Sequence, residues 1–487
     1  MLYLDTETFS TTPIRDGTYK YASTCEVMVV TWAVDDGPIG CWDVTDGTCM
    51  PPELDGMLRD PAVLVCAHSS MFDRNVLKHA LGIDIPIERW RDTLVKALAH
   101  GLPGGLDILC EIFKLPIDQQ KHKTGRSLIQ LFCKPRPKNS KLRRATRITH
   151  PVEWAAFLEY ARADIVAMRT LDKQIPDWNY SGEELALWHL DQKINDRGMA
   201  VDLDLANAAI AAVASAKVSL AADTLEMTGG EVASATQRDK LLIHIVEAFG
   251  VELPDMTKST LERRIADPDL PQALRELLLV RLQSCTTSTS KYQALVNGTL
   301  PNGRLCGTLQ YSGASRTRRW AGRLFQPQNL PSKGLPPADE IEFGIRTIKA
   351  GGADLLFNNV MEITSAAIRG CIVAPEGKKL VVADLANIEG RIAAWVAGES
   401  WKPWPEKPVA RTRPSRLRVG PRIGTSSAAR ASMPTQASAR PTVAATGTIA
   451  AAVRALPQML AACGVPRLAS RCQSPGQPPP IRKLPAG

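Results

Sequence analysis

The sequence predicts an α/β domain at the N-terminal end, a mostly helical middle, a smaller α+β part, and a C-terminal tail without a core. Three observations carry this reading. Residues 1–115 alternate strand-like apolar runs with segments of helical spacing. Residues 181–300 keep helical spacing almost throughout. Near residue 401 the composition turns to Ala, Arg, Pro and Ser, and residues 402–487 hold fourteen prolines but no Asp, Tyr or Phe. Such a stretch buries too little apolar surface to offset its ordering entropy, so disorder is expected. The boundaries are drawn at 1–178, 179–300, 301–400 and 401–487.

The first element is Leu2-Tyr3-Leu4-Asp5-Thr6-Glu7-Thr8-Phe9, an apolar strand carrying two carboxylates. Residues 25–34 and 62–67 read as further strands, and 72–81 and 90–100 as helices. A Gly-rich loop at 101–105 leads into a helix ending near Leu115. Residues 119–126 and 133–147 are crowded with Lys, Arg, Pro and Ser and show no period. They predict an exposed basic loop around a short helix at 128–132. That loop is open to two readings, a solvated surface or a cradle for phosphates beside a metal site.

Pro151 suits a first helical position and Glu153 a first turn. Trp154, Leu158, Ala161, Ile165, Met168 and Leu171 then keep helical spacing, with Tyr160 and Asp164 sharing a face beside the stripe. Helices are expected at 183–197, 203–227, 237–249 and 274–300, with Pro254, Pro268 and Pro271 punctuating the path. From Leu305 the pattern returns to strands and loops. A strand is expected at 307–311, a densely basic stretch at 316–323, a strand at 379–383 ending on Asp384, and a helix at 388–397. The tail carries at most a marginal helix at 448–456.

Charge is unevenly placed. The formal net charge is +9, but residues 401–487 contribute +13 and residues 1–400 only −4. A basic total is therefore no argument for nucleic-acid binding by the folded part. No run of 18 or more apolar residues occurs, so no membrane span is expected. The absence of a leader pattern and of disulfide or zinc spacing among eleven cysteines leads to the expectation of a cytoplasmic protein.

Alternation on a strand points Asp5 and Glu7 the same way. Alone, the pair reads as a solvated strand face or as half of a divalent-metal site. Asp73, where a strand hands over to a helix, and Asp164, one turn after Tyr160, raise the number of carboxylates to four. Four carboxylates can hold two divalent ions, which activate a water and stabilise the leaving oxygen of a phosphodiester. The order Asp5-Thr6-Glu7, Phe72-Asp73 and Tyr160-Ala-Arg-Ala-Asp164 resembles the proofreading 3′→5′ exonuclease of DNA polymerases, the DEDD type with a tyrosine in its third motif. The resemblance implies an RNase H-like mixed sheet with flanking helices. It also implies two Mg²⁺ or Mn²⁺ ions on Asp5, Glu7, Asp73 and Asp164, and a single-stranded DNA 3′ end as substrate. One departure is Ser69, where the family usually has Asn.

The second half agrees. The stretch from Thr317 to Pro331, with Arg318-Arg319-Trp320, Arg323 and Gln328-Asn329-Leu330-Pro331, resembles the template- and primer-binding segment of family A (polymerase I-like) DNA polymerases. Val382-Ala383-Asp384-Leu385-Ala386-Asn387-Ile388-Glu389-Gly390-Arg391 resembles their motif A, and both look most like phage-type members. The resemblance implies a helical thumb or connector at 179–300 and a partial palm at 301–400. It implies DNA contacts at Arg319, Arg323, Gln328 and Asn329, nucleotide contacts at Glu389 and Arg391, and catalytic metals on Asp384. The plain alternative is that Asp384 caps the following helix.

Two further departures stand out. Arg318 occupies a position usually held by Gly. Residues 400–487 contain neither the fingers helix with its Arg and Lys nor the His-Asp-Glu strand, and no Asp follows Asp384. The palm is therefore expected to be truncated, and the tail reads like a translated shifted frame. Three functions are weighed: a family A polymerase that keeps its exonuclease but loses synthesis, a non-catalytic DNA-binding remnant, and a stand-alone exonuclease, which leaves Gln328-Asn329-Leu330-Pro331 and the stretch from Asp384 to Arg391 unaccounted for. Processivity partners are unknown from the sequence.

Overall fold

The computed structural model describes residues 1–115, 119–285, 289–332, 334–382 and 388–397. β1 (Leu2–Phe9) is the central strand of a five-stranded sheet ordered β3-β2-β1-β4-β5. Its partners are β2 (Glu26–Val34), β3 (Ile39–Asp43), β4 (Val65–Ala67) and β5 (Trp90–Asp92). β1 runs antiparallel to β2 and parallel to β4, so the sheet is mixed. Around it lie α1 (Thr18–Ala22), α2 (Pro52–Arg59), α3 (Ser70–Ala80), α4 (Thr93–Ala99), α5 (Leu106–Ile112), α6 (Gln119–Phe132) and α7 (Pro151–Gln174).

β1 is apolar on both faces because both are covered. Leu2 and Leu4 enter a core with Tyr21, Trp32, Val76, Leu77 and Trp90. On the other face Tyr3 meets Ile165 and Met168, and Phe9 meets Trp154, Phe157 and Ala161 of α7. Asp5 and Glu7 interrupt that second face. α7 is clamped onto the sheet at two points. The Thr31 hydroxyl donates to the Ala161 carbonyl at 3.2 Å, and the Tyr3 hydroxyl donates to Asp172 at 2.9 Å.

Several sequence expectations change here. Residues 90–100 are not one helix, because Trp90–Asp92 pairs with β4 and Asp92 caps α4 through Leu94 N (2.9 Å) and Val95 N (3.2 Å). β3 has too weak an alternation to be read alone and forms because β2 offers an edge. The basic loop expected at 119–126 is helical, within α6. Helix formation there is carried by packing rather than propensity: the Phe132 ring lies 5.0 Å from Trp154 and 5.2 Å from Phe157.

The middle is helical as expected, with α8 (Gly182–Arg197), α9 (Leu203–Met227), α10 (Arg238–Phe249) and α11 (Lys258–Ile265). The helix expected at 274–300 is split into α12 (Gln272–Ser284) and α13 (Ser290–Gly298). α9 is long and apolar enough to cross a membrane by length and composition, the one such helix among the described residues. In this fold it is the element on which α12, α13, α14 (Ala338–Ala350) and α16 (Val360–Ala367) pack.

α14, α15 (Ala353–Leu356) and α16 replace the strands and loops expected after Leu305, with Ile341 and Ile348, two turns apart, buried on one face of α14. Short strands do occur. β6 (Met199–Val201), β7 (Arg304–Leu305) and β10 (Ile372–Val373) form one sheet, and β8 (Leu309–Gln310) pairs β9 (Ala321–Gly322). The strand expected at 379–383 is not formed over 379–382. Leu380, Val381 and Val382 are 58%, 91% and 87% exposed, with no neighbouring strand among the described residues to complete a ladder. α17 (Ile388–Val396) is the helix expected there. Asp384 and the whole tail, with its expected disorder and marginal helix, lie outside the described residues.

Candidate metal centre

Three carboxylates converge between β1 and α7. Asp5, Glu7 and Asp164 each present an oxygen within 4.8 Å of the others. The strand period puts the first two on the face that α7 covers. The helical stripe that docks α7 sets Asp164 beside them, between the Thr31 and Tyr3 clamps. All three are half-buried.

Asp73 joins from α3 and is buried. Its Oδ1 accepts from the Thr6 amide at 3.1 Å and the Thr6 hydroxyl at 2.7 Å. The middle residue of Asp5-Thr6-Glu7 therefore ties the second motif to the first. The start of α3 is fixed by Asp92, which also accepts from Ser69 N (3.1 Å), Ser70 N (2.8 Å) and Ser70 Oγ (2.9 Å). One carboxylate thus caps two helices. Sequence reasoning missed both Thr6 and Asp92. An Asp just before Thr93-Leu94-Val95 is an N-cap signal that could have exposed the second.

The electrostatics are those of a site short of positive charge. Burial pushes the Asp5 carboxyl up to about 6. Burial, then the charges of Asp5 and Asp164, hold Glu7 well above the usual range. Burial and then Asp5 do the same to Asp73 and to Asp164. The Tyr160 hydroxyl hydrogen-bonds Asp164, and burial followed by the charges of Asp164, Glu7 and Asp5 raises its own pKa. The Cys133 thiol donates to Glu7 Oε2 at 3.6 Å. An all-oxygen donor set of mutually repelling carboxylates fits hard divalent cations such as Mg²⁺ or Mn²⁺.

Tyr160 is hemmed in by α6. A Cβ added at Gly125 would lie 2.4 Å from Tyr160 Cε2, so only glycine lets the helix approach the ring this closely.

The residues read as polymerase contacts are scattered by comparison. Arg319 is exposed and pairs with Glu389 of α17. Arg323 is exposed, with its amide bonded to the Thr308 carbonyl at 2.8 Å. Gln328 and Asn329 lie exposed on a short 3₁₀ turn, and the Gln328 amide fits against Gly322, where a Cβ would come within 2.1 Å. The Arg391 side chain lies outside the description, as does Asp384. The residues of the first three acidic motifs are thus brought together; a palm site is not assembled among the described residues.

No family model matches the sequence. A DNA polymerase of Bacillus phage SP02 is 33% identical over 411 residues, covering 82% of this chain and 62% of that protein. Among solved structures, the polymerase domain of Pol1 from M. smegmatis, in complex with DNA primer-template and dNTP, is 16% identical with a TM-score of 0.47. That match covers 81% of this chain and 58% of the other. Brucella melitensis NrnC with bound Mg²⁺ is 19% identical with a TM-score of 0.26, covering 39% of this chain and 79% of its own. The chain is thus similar to a phage DNA polymerase along 82% of its own length and spans 62% of the length of that relative.

Proposed function

We propose that the N-terminal part of this chain is a 3′→5′ exonuclease acting on DNA. The observation that supports it best is the convergence of Asp5, Glu7 and Asp164 within 4.8 Å, with Asp73 held alongside by Thr6. These four carboxylates would hold two divalent ions, which when bound activate a water and stabilise the leaving 3′ oxygen. The chain's own residues do the rest. Tyr160, fixed by Asp164 and confined by Gly125, presents a hydroxyl that orients the attacking water. Cys133 holds one Glu7 oxygen, leaving the other for a ligand. The sheet, α3 and α7 keep the four acids in place before substrate arrives, which limits reorganisation during the reaction.

On the same reading, residues 1–487 are not expected to support templated synthesis by themselves. Transfer of a nucleotide by two metals needs a second palm acid; the resemblance implies an Asp there, and no Asp follows Asp384 in the sequence. The shifted-frame origin of residues 401–487 belongs to this proposal and is read directly from the coding DNA.

The test uses purified protein and a 5′-labelled single-stranded oligonucleotide. A ladder shortening from the 3′ end with Mg²⁺ or Mn²⁺, abolished by chelator and by Asp5→Ala, is expected. An oligonucleotide that stays intact, or activity indifferent to Asp5→Ala, overturns the proposal. Intact but bound DNA favours the non-catalytic remnant. Primer extension on a primed template is expected to give no product.

A further inference from the structure

Residues 134–147 carry seven Lys and Arg and no acid. The segment is an ordered strap, pinned at both ends. Cys133, at its start, is buried and touches Glu7. Ala145, near its end, is buried in the core that holds Phe9, Phe132 and Trp154. Between them the Arg136 amide donates to the Arg143 carbonyl at 3.0 Å, closing a loop, and Ser140 N bonds Pro137 O at 2.9 Å. The Arg144 guanidinium lies 4.0 Å over the Phe9 ring and 2.6 Å from Glu26. Phe9 is two residues beyond Glu7 on the same face of β1, so the strap runs along the rim of the metal centre.

Five of these seven charges fall into two sets. Arg144 and Arg147 are used internally, paired with Glu26 and Asp43. Lys138, Lys141 and Arg143 are exposed and have no acidic partner among the described residues. A folded loop that spends some cations on its own anchoring and turns the others outward is set up to meet an external anion. The neighbouring site is built of four carboxylates and offers a polyanion nothing to grip except its ions. Binding of a strand therefore has to come from outside the acid cluster, and the strap is the basic surface that begins at its edge.

We propose that Lys138, Lys141 and Arg143 form a phosphate track that grips the single-stranded DNA whose 3′ end enters the metal centre. This inference rests on the exonuclease reading and adds the part of the protein that holds the strand. The contacts are to backbone phosphates, so they carry affinity without sequence preference.

The experiment compares wild type with the triple variant Lys138→Gln, Lys141→Gln, Arg143→Gln on two substrates. One is a long oligothymidylate; the other is thymidine 5′-(p-nitrophenyl phosphate), a single phosphodiester that reaches only the metal centre. Expected is a loss of about tenfold or more in kcat/KM on the oligonucleotide, carried by KM, with hydrolysis of the small ester unchanged. In chelator, binding of the oligonucleotide should show a salt dependence shallower by about 2 in log K against log [salt], about 0.7 for each lost phosphate contact. Unchanged oligonucleotide kinetics and salt slope overturn the track. Equal losses on both substrates overturn it too, because the strap would then be supporting the metal centre itself. Failure of wild type to hydrolyse either substrate instead refutes the exonuclease reading, and the salt slope still decides whether the strap binds DNA.

Discussion

Replacing Asp5 by Asn should stabilise the metal-free protein while abolishing nuclease activity. Folding raises the Asp5 carboxyl from 3.8 to about 6, chiefly through burial, so the folded state favours its protonated form. A raised carboxyl pKa stabilises the fold below the ordinary value, and that stabilisation is lost as pH rises through about 6. Above pH 6 the charged Asp5 costs the folded state up to about 3 kcal/mol, two pKa units at about 1.4 kcal/mol each. Asn is uncharged and carries no such cost. In chelator, wild type and Asp5→Asn should unfold alike near pH 4, and the variant should gain up to about 3 kcal/mol by pH 8. Adding Mg²⁺ should close the gap, because a ligand at a hundredfold its Kd stabilises wild type by about 2.7 kcal/mol. Urea unfolding, followed at both pH values with and without Mg²⁺, measures all four corners. A variant no more stable than wild type at pH 8 in chelator would show that burial of the charged Asp5 carboxylate does not carry the cost its raised pKa requires.

Other perturbations probe the surroundings of the site. Gly125→Ala places a methyl 2.4 Å from Tyr160 Cε2, and this overpacking should cost about 1–3 kcal/mol, offset by about 1 kcal/mol of helix propensity. Its sign of success is a fall in kcat larger than the fall in stability; equal nuclease rates would show that the ring position does not matter. Tyr160→Phe keeps the ring and loses the hydroxyl that bonds Asp164, so kcat should drop about tenfold or more at unchanged KM in steady-state hydrolysis. Ser69→Asn should raise the stability of the N-terminal part by about 0.5–1 kcal/mol in urea unfolding, and a loss of stability would show that the left-handed backbone at residue 69 is not strained with Ser.

How much of this was legible depended on range. Asp5 and Glu7 could be placed on one face by the strand period, and Tyr160 with Asp164 by the helical one, because both relations are local. The convergence of strand and helix is not local. It is made by Thr31 reaching the Ala161 carbonyl and Tyr3 reaching Asp172, contacts that span 130 and 169 residues. Thr6 escaped notice for the same reason: its partner, Asp73, is 67 residues away. Short edge elements failed differently. Ile39–Asp43 and Trp90–Asp92 are strands because a neighbour pairs with them, and Lys379–Val382 lacks strand structure where no described neighbour does. A ladder partner decides such segments more than their own residues.

The two departures from the family pattern within the described residues share a physical cause that sequence alone could not show. Ser69 stands where the family has Asn and Arg318 where it has Gly, and both lie at positive φ, 71° and 55°. Asn and Gly are the residues that occupy this left-handed region most readily, so each departure concerns backbone strain as well as side-chain chemistry. In each case neighbouring bonds hold the turn. At Ser69 the Asp92 carboxylate takes the amides of residues 69 and 70 while capping α4, and Phe72 N returns to the Ser69 carbonyl at 2.8 Å. At Arg318 the amide bonds Ala314 O at 2.8 Å and the guanidinium reaches Glu184 at 3.2 Å, beside a Trp320 Nε1–Asp191 bond of 2.6 Å. The compensation differs in kind. Ser69 gains nothing from its own side chain among the described bonds beyond fitting the turn, whereas Arg318 adds an ion pair that a Gly would lose. Restoring Asn at 69 should therefore relieve strain at little cost. Restoring Gly at 318 exchanges strain for a lost pair and a more flexible unfolded chain, and leaves stability nearly level. The metal centre depends on the first turn, because Asp73 follows it by one helical turn.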